Sequence, residues 1–390
     1  MSIISPFFFE LPTKIEYGVG CISTLPGHLI KRGAKRPIIV TGKSSAKTGT
    51  LQKVTALLDE AGIEWVVFDG VEPNPKDLNV RDGAALARSF GADSIVALGG
   101  GSPIDCAKAI GVLMAHNSDD IKKYEGKTAA TEPLPTLIAI PTTSGTGSEL
   151  TFSSVITDSR NKYKMTVKSP YTAAVLAICD PELTLTVPAS VTAATGVDAL
   201  THAIEAYTAN CHEPISDAVA LHAIRLISAN LRAAVENGAD LEARSNMLMG
   251  SMLAGIAFSH SDVASVHCVA ESLGGLYDLP HGMCNAIFLP YVMEYSSDYC
   301  LERYADIAAA MGISYSSAAE GARAAVEAVK QLCRDVKLPA FKALGVDKAD
   351  FDLIAEMSVK NISTESNPRP LDKQDYLNVL NAAYDEVFVK

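Results

Sequence analysis

The chain has 390 residues, of which 48% are hydrophobic and 20% are charged, and its formal net charge is -12. This composition is globular, and the length predicts two domains that each have their own core. The negative charge disfavours nucleic acids and anionic membranes as partners. The eight cysteines form no CxxC pair and lie in apolar segments, and the N-terminus lacks the pattern of a signal peptide. We therefore expect reduced core thiols and a cytoplasmic protein.

The first half of the chain alternates between strand and helix patterns. Residues 6–17 predict an extended edge strand, since Pro12 removes a backbone donor, and the open edge can pair with a second subunit. Four short β-branched runs follow, separated by helical patterns, at residues 37–41, 64–68, 94–98 and 137–141. This alternation predicts a parallel sheet with helices on its faces, which binds ligands beyond the carboxyl ends of its strands.

Two loops rich in glycine and hydroxyl groups follow the third and fourth of these runs. The first, "GGGS" at residues 99–102, leads into a helix whose first-turn amides can face a phosphate. The second, "PTTSGTGSE" at residues 141–149, offers many hydrogen-bond donors. Each loop alone is compatible with a solvated turn, but adjacent strand ends make a dinucleotide site the better interpretation.

The residue after the first run bears on the choice of cofactor. Many NAD enzymes of this layout place an acid there for the adenosine ribose hydroxyls, whereas this chain has Gly42. Lys43 and the hydroxyls of Ser44 and Ser45 can accept a 2′-phosphate. We therefore favour NADP(H) over NAD(H), with NAD(H) left open and a simple turn at Gly42 as the alternative.

Residues 153–167 predict a β-hairpin, and Pro188 then marks a boundary, with Ser190 as the expected N-cap of the next helix. From this boundary onwards the chain is helical in pattern. Apolar residues at three- and four-residue intervals predict mutually packed helices. These helices are expected near residues 191–209, 215–236, 241–257, 263–274, 298–311, 316–336, 348–359 and 372–387.

One carboxylate and three imidazoles lie in apolar surroundings with spacings that suit a divalent metal. Asp198 and His202 are four residues apart, so they share one face of a buried helix. His267 lies in a second apolar run, and His281 follows Pro280, where a helix can begin. Mixed N and O ligands suit Fe(II) or Zn(II) better than Mg²⁺ or Ca²⁺. Any one of these histidines alone would be read as structural, as are His28, His116, His212 and His222.

Five segments, in this order, resemble the iron-containing alcohol dehydrogenase family, which has a dehydroquinate synthase-like fold: "GGGSPID", "PTTSGTGSE", "DPELT", "DALTHAIEAY" and "PHGMCNAIFLP". The resemblance covers nearly the whole chain. It implies a Rossmann-like α/β dinucleotide-binding domain at residues 1–187 and an all-α metal-binding, catalytic domain at residues 188–390, with metal and nicotinamide meeting in a cleft between them. It also implies a homodimer built by exchange of the N-terminal strand.

The resemblance carries site residues onto this sequence. The metal, Fe²⁺ or alternatively Zn²⁺, would be held by Asp198, His202, His267 and His281. Besides Gly42, the implied cofactor contacts are Asn74, Gly100, Gly101, Ser102, Asp105, Thr142, Thr143, Thr146, Lys164 and Leu183.

The chain departs from the family near the expected substrate pocket. Many members carry a second histidine four residues after the third ligand, where this chain has Glu271. His260, Asp262 and Ala264 stand where Asn, Gly and Gly are common, and Ser363 stands where a Cys or similar residue is common. Either protons move through Glu271 and His260, or they leave through a cofactor ribose hydroxyl and water; alternatively, Glu271 is a structural ion pair.

The resemblance implies hydride transfer between NAD(P)(H) and a small primary alcohol or aldehyde. The metal would lower the pKa of the alcohol, and Phe258 would form part of the apolar wall, although a role in the helix core is equally compatible. Three alternatives stay open. They are a glycerol-type polyol dehydrogenase, a lyase of the dehydroquinate synthase kind, and a sensor that binds NAD(P) and metal without turnover.

Overall fold

The structure is a computed structural model that describes residues 6–386. It divides into two compact units. The α/β unit comprises residues 10–143 and 148–187, and the helical unit comprises residues 188–386 together with residues 6–9 and 144–147.

The α/β unit is built on a six-stranded parallel sheet with the strand order β1-β8-β5-β4-β2-β3, and strands β6 and β7 form a separate antiparallel hairpin. The strands are β1 Lys14–Tyr17, β2 Pro37–Thr41, β3 Val66–Phe68, β4 Ser94–Gly99, β5 Thr136–Pro141, β6 Ser153–Asp158, β7 Tyr163–Lys168 and β8 Leu176–Cys179. The predicted fold class is confirmed. The N-terminal strand is shorter than expected, because it starts at Lys14, two residues after Pro12. The apolar run before residue 180 adds a further strand, β8, between β1 and β5.

Helices cover both faces of this sheet because alternate side chains of each strand point to opposite sides. They are α1 Leu25–Lys31, α2 Lys43–Lys47, α3 Thr50–Glu60, α4 Asp77–Phe90 and α5 Gly101–Ala115. Ile38 and Val40 of β2 pack in a cluster with α4 and α5, whereas Ile39 packs in a second cluster with α1 and α3. The strand ends that precede α2 and α5 are thereby held rigidly.

The helical unit consists of nine α-helices among the described residues. They are α6 Ala189–Thr208, α7 Pro214–Glu236, α8 Leu241–His260, α9 Ser265–Tyr277, α10 His281–Ser296, α11 Leu301–Ala310, α12 Ala318–Asp335, α13 Phe351–Lys360 and α14 Lys373–Asp385. One apolar core joins all nine. By length and composition alone α7 could cross a membrane, a test that core helices of soluble proteins also pass.

Two local predictions for this unit were wrong. The start of helix α10 at His281 after Pro280 is confirmed, but its range was missing from the expected set, because it contains Pro290 and is apolar on most of its sides, so that no 3.6-residue period is visible. The N-cap of α6 is Pro188 and no side chain caps this end, so Ser190 lies inside the first turn.

The cysteines are all free thiols, but they are not all core residues. Cys106, Cys179, Cys268 and Cys284 are buried as expected. Cys211 is exposed because it lies in the turn between α6 and α7.

A buried lysine fastens the segment that follows the second glycine-rich loop. Lys108 of α5 is fully buried, and its Nζ donates to the backbone carbonyls of Ser148 (2.7 Å), Thr151 (3.0 Å) and Ser153 (2.8 Å). Burial lowers its pKa to about 8. Beside it, burial raises the pKa of the Glu149 carboxyl from 4.5 to about 7. The segment is therefore held by backbone hydrogen bonds to a cation, next to a carboxyl that resists ionisation.

We predict that Glu149→Gln stabilises the protein, relative to the wild type, much more at pH 8 than at pH 5. Because the folded-state pKa lies above the unfolded value, wild-type stability is lost as the pH rises from 4.5 through about 7. The full shift from 4.5 to about 7 corresponds to about 3 kcal/mol. The measurement is the unfolding free energy of variant and wild type at several pH values. The exposed Glu60→Gln is the control, and a pH-independent difference for Glu149→Gln would contradict the prediction.

Candidate active site

Four side chains with metal-ligand chemistry converge in the helical unit. Asp198 and His202 come from adjacent turns of α6, His267 from the first turn of α9, and His281 is the first residue of α10. One ligand atom from each lies within 4.8 Å of all the others. Asp198, His202 and His267 are at most 4% exposed, and His281 is half-buried. A carboxylate and three imidazoles at this spacing are a donor set that fits a divalent Fe or Zn ion.

The two most closely spaced imidazoles differ in their affinity for a proton. The Nε2 atoms of His202 and His267 are 3.0 Å apart, so a hydrogen bond between them requires a proton on one nitrogen only. Burial, and then the neighbouring His267, lowers the pKa of His202 well below its ordinary value. Burial also acts to lower the pKa of His267, but the Glu205 carboxylate outweighs it and the pKa is raised. A cation between these nitrogens would take the place of that shared proton.

Two residues of this cluster were not found by sequence reasoning. Asn285 of α10 is fully buried, and its Nδ2 donates to Asp198 Oδ1 (2.6 Å) and lies 2.9 Å from His267 Nε2 and 3.2 Å from His281 Nε2. Glu205 of α6 bonds to His267 Nδ1 (2.5 Å). Spacing offered a signal for both, since Asn285 follows His281 by four residues and Glu205 follows His202 by three.

The loop before α5 forms a cradle in the α/β unit. Gly100 is the N-cap of this helix in an extended conformation, and a Cβ built on it would lie 2.8 Å from the Thr143 hydroxyl oxygen. Gly99 has a φ of 146°, which side chains rarely adopt. The backbone of Gly101 and Ser102 forms the first turn, so its amides have no helical acceptor. Gly100 therefore leaves room beside Thr143, next to first-turn amides of the kind that can bind an anion.

The tip of the second loop, residues 144–147, belongs to the helical unit and packs against two of its helices. A Cβ built on Gly145 would lie 2.8 Å from Thr195 Cβ of α6, and one built on Gly147 would lie 2.7 Å from Gly255 Cα of α8. Thr146, between these glycines, is half-buried. The close backbone approach explains why glycine alternates with hydroxyl residues here.

The other predicted cofactor contacts of the α/β unit differ in burial and in their hydrogen-bond partners. Asp105 accepts hydrogen bonds from Ser148 Oγ (2.5 Å) and from the backbone of Val155 (3.0 Å), so its carboxylate holds the segment after the second loop. Thr142 donates its backbone N–H to Gly99 O (3.0 Å), which links the two loops. The remaining three are Asn74, 6% exposed with a φ of 50°; Lys164, half-buried on β7; and Leu183, 3% exposed in the core.

The segment after β2 corrects one detail of the predicted phosphate site. Gly42 is the N-cap of α2, with Lys43 and Ser44 exposed beyond it. Ser45 is buried, and its Oγ accepts a hydrogen bond from Thr41 Oγ1 (2.8 Å). Ser45 is therefore not available to a cofactor in the way that the sequence suggested.

Of the predicted catalytic residues, Phe258 and His260 lie at the end of α8, and Glu271 lies on α9. Phe258 stacks on the His202 ring with a centroid distance of 4.5 Å. His260 stacks on Phe9 at 4.0 Å and lies 2.8 Å through Nδ1 from Ile256 O. Glu271 accepts a hydrogen bond from Asn361 (2.6 Å), so its described partner is an amide rather than a cation.

Asp262 has partners of a different kind. Its carboxylate accepts hydrogen bonds from the hydroxyls of Ser363 (3.2 Å) and Ser366 (3.1 Å). Two of the departures, Asp262 and Ser363, are thus hydrogen-bond partners of each other.

Comparisons with known proteins cover nearly the whole chain. Residues 12–181 match the family model for iron-containing alcohol dehydrogenase, and residues 192–384 match that for the C-terminal part of the Fe-containing alcohol dehydrogenase family. A 1,3-propanediol dehydrogenase of Klebsiella pneumoniae is 43% identical over 97% of this chain and 99% of that protein. Two solved structures, a 1,3-propanediol oxidoreductase and an alcohol dehydrogenase from Oenococcus oeni, are 42% and 41% identical, each with a TM-score of 0.94 and covering 97% of this chain and 100% of the other.

A parallel sheet with glycine-rich phosphate loops, together with a helical unit that gathers one aspartate and three histidines, defines a metal-dependent dehydrogenase. The chain belongs to the iron-containing alcohol dehydrogenase family. The family and the class of alcohol and aldehyde oxidoreductase predicted from the sequence are therefore confirmed.

We predict that His267→Ala removes bound metal and activity together. The loss of a ligand should cost more affinity than the roughly 10–100-fold that follows from loss of an outer-shell partner. Metal content of the purified, reconstituted variant is measured by mass spectrometry beside the rate of NAD(P)H oxidation. His222→Ala, an exposed histidine on α7, should leave both at wild-type values. Full metal content in His267→Ala would remove this residue from the ligand set.

Proposed function

We propose that the protein interconverts a small primary alcohol and its aldehyde, using a divalent metal in the helical unit and a nicotinamide dinucleotide in the α/β unit. The observation that carries this proposal is the group of four ligand atoms within 4.8 Å of one another, nearly all buried. The similar 1,3-propanediol dehydrogenase is named for a small diol, which supports a short substrate. The domains would then be a dinucleotide-binding domain at residues 1–187 and a metal-binding domain at residues 188–390.

The metal site would use Asp198, His202, His267 and His281 as ligands, with Fe²⁺ favoured and Zn²⁺ as the alternative. When bound, the ion would act as a Lewis acid that polarises a carbonyl oxygen and lowers the pKa of an alcohol. Asp198, His202 and His267 are at most 4% exposed, so solvent has little access to these three side chains. Phe258, stacked on His202, supplies an apolar wall against which a short alkyl chain can pack.

Proton exchange with the substrate oxygen would fall to Glu271 and His260. Glu271 lies four residues after His267, on the same face of α9. Its carboxylate accepts a hydrogen bond from the Asn361 amide, which orients it, and the side chain is half-buried, so solvent can still reach it. His260 keeps one ring nitrogen near Ile256 O, so exchange would use the other ring nitrogen.

The dinucleotide would lie on the two glycine-rich loops. Gly100, Gly101 and Ser102 would direct first-turn amides at the pyrophosphate, since the helix N-terminus favours an anion. Thr142, Thr143 and Thr146 would donate hydroxyl hydrogen bonds. Further contacts are proposed for Asn74, Asp105, Lys164 and Leu183, of which Asp105 supports the loop through Ser148 and Val155.

We propose NADP(H) as the preferred cofactor. Gly42 places no carboxylate at the end of β2, and Lys43 is exposed next to it. A Cβ on Gly42 would lie 3.1 Å from Val71 O, so a larger residue at this position would have to displace that carbonyl. A lysine ammonium can pair with that phosphate as a point charge.

The protein is proposed to be a cytoplasmic homodimer. Within the described residues β1 pairs on one side only, with β8, and is therefore an edge strand. Phe7 and Phe8 just before it are 47% and 78% exposed. An open edge flanked by exposed aromatic residues suits pairing with a second copy. Free thiols throughout the chain suit a reducing compartment.

We predict that the protein reconstituted with Fe(II) or Zn(II) oxidises NADPH when propanal is added, followed as loss of absorbance at 340 nm. The rate at limiting cofactor should be several-fold higher with NADPH than with NADH, because of the added phosphate pairing. His267→Ala serves as the inactive control, and 1,3-propanediol with NADP⁺ tests the reverse direction. Cofactor binding without turnover across short aldehydes would favour a sensor. A higher rate with NADH would overturn the cofactor preference.

A further inference from the structure

Glu205 is a buried carboxylate that touches one metal-ligand side chain and one helix end at the same time. It lies on α6, three residues after His202, and is 3% exposed. Its Oε2 bonds to His267 Nδ1 at 2.5 Å and accepts the backbone N–H of Ala264 at 2.9 Å. Its Oε1 accepts the backbone N–H of Val266 at 2.7 Å. Three N–H groups thus point at a single carboxylate.

The first consequence concerns the tautomer of His267. A carboxylate can only accept a hydrogen bond, so Nδ1 of His267 must carry the proton. The Nε2 atom is then the nitrogen that faces His202 at 3.0 Å and the rest of the ligand cluster. Glu205 therefore determines which nitrogen of His267 is offered to a cation, as carboxylates commonly do for metal-bound histidines.

The second consequence concerns the position of helix α9. Its N-cap residue, Ala264, provides no side-chain cap for the helix. Glu205 replaces the missing cap from another helix by accepting the N–H groups of Ala264 and Val266, and its negative charge suits the positive end of the helix dipole. The same carboxylate consequently fixes α9, which carries His267, relative to α6, which carries Asp198 and His202.

We propose that Glu205 is a positioning residue for the metal site, which raises metal affinity by holding His267 as the Nδ1–H tautomer and by fixing its helix against α6. This inference rests on the metal site of the proposed function and adds a residue that does not itself bind the ion. A buried carboxylate is costly to desolvate unless its acceptor sites are used. Here they are used by the imidazole and the helix end that the site requires.

A matched control is present in the same unit. Glu213 is also 3% exposed and also accepts two backbone N–H groups of a helix start, from Ile215 (2.8 Å) and Ser216 (2.6 Å). It caps α7 and bonds to no ligand of the metal cluster among its described contacts. Glu205→Gln and Glu213→Gln therefore remove comparable helix-capping charges, but only the first alters the partner of His267.

The test compares metal affinity in full-length wild type, Glu205→Gln and Glu213→Gln by competition of Zn²⁺ against a chromophoric chelator at fixed pH, with thermal unfolding of each apoprotein alongside. We expect Glu205→Gln to lose roughly 10–100-fold in affinity. Glu213→Gln should bind Zn²⁺ as the wild type does, even where its unfolding temperature falls. Wild-type affinity in Glu205→Gln, or equal losses in both variants, would overturn the proposal.

A second measurement keeps the proposal testable if Glu205→Gln does not fold. Long-range ¹⁵N–¹H correlation spectra of histidine-labelled wild-type apoprotein report which nitrogens carry protons, and His267→Ala assigns the signal. Nδ1 of His267 is expected to be protonated, and an unprotonated Nδ1 would overturn the inference. Failure of wild type to bind Zn²⁺ at all would instead count against the proposed function.

Discussion

The helical unit holds one aspartate and three histidines in and beside its apolar core, with the buried Glu205 and Asn285 next to them. Each of these groups would be costly to bury alone, so they must satisfy one another, a proton or a cation. That requirement fixes the approach of α6 to α9 and α10. A small residue permits the approach of α10 to α6, since a Cβ on Gly282 would lie 3.3 Å from Asp198 Cβ.

In the α/β unit the two glycine-rich loops must leave backbone amides accessible and still keep a fixed conformation. Gly100 leaves space beside Thr143. Lys108 and Asp105 both hydrogen-bond to Ser148 and so hold the end of the second loop in place. Lys108 is fully buried and Asp105 is half-buried, and loss of solvation raises the pKa of the Asp105 carboxyl. The chain thus places its charged groups behind the loops and leaves glycines and hydroxyls at the front, where an anion can be received.

The parts of this arrangement that were predictable are those encoded in local pattern. The β-branched runs of the sheet and the four-residue spacing of Asp198 and His202 are visible in the sequence, as is the position of His281 after a proline. The features that the sequence did not predict depend on contacts between segments that are distant along the chain. Helix α10 is buried on most sides and shows no amphipathic period. Glu205 resembles an ordinary helical glutamate until the start of α9 is seen to lie against it, and Ser45 resembles an available hydroxyl until Thr41 is seen beside it.

X-ray absorption spectroscopy of the metal-loaded protein tests the account most directly. One Fe or Zn ion per chain, with imidazole multiple scattering from about three histidines and one oxygen ligand near 2.0–2.2 Å, is the predicted result. A sulfur scatterer near about 2.3 Å would place the metal on one of the eight thiols instead, and a shell without imidazole would show that the four side chains do not bind it.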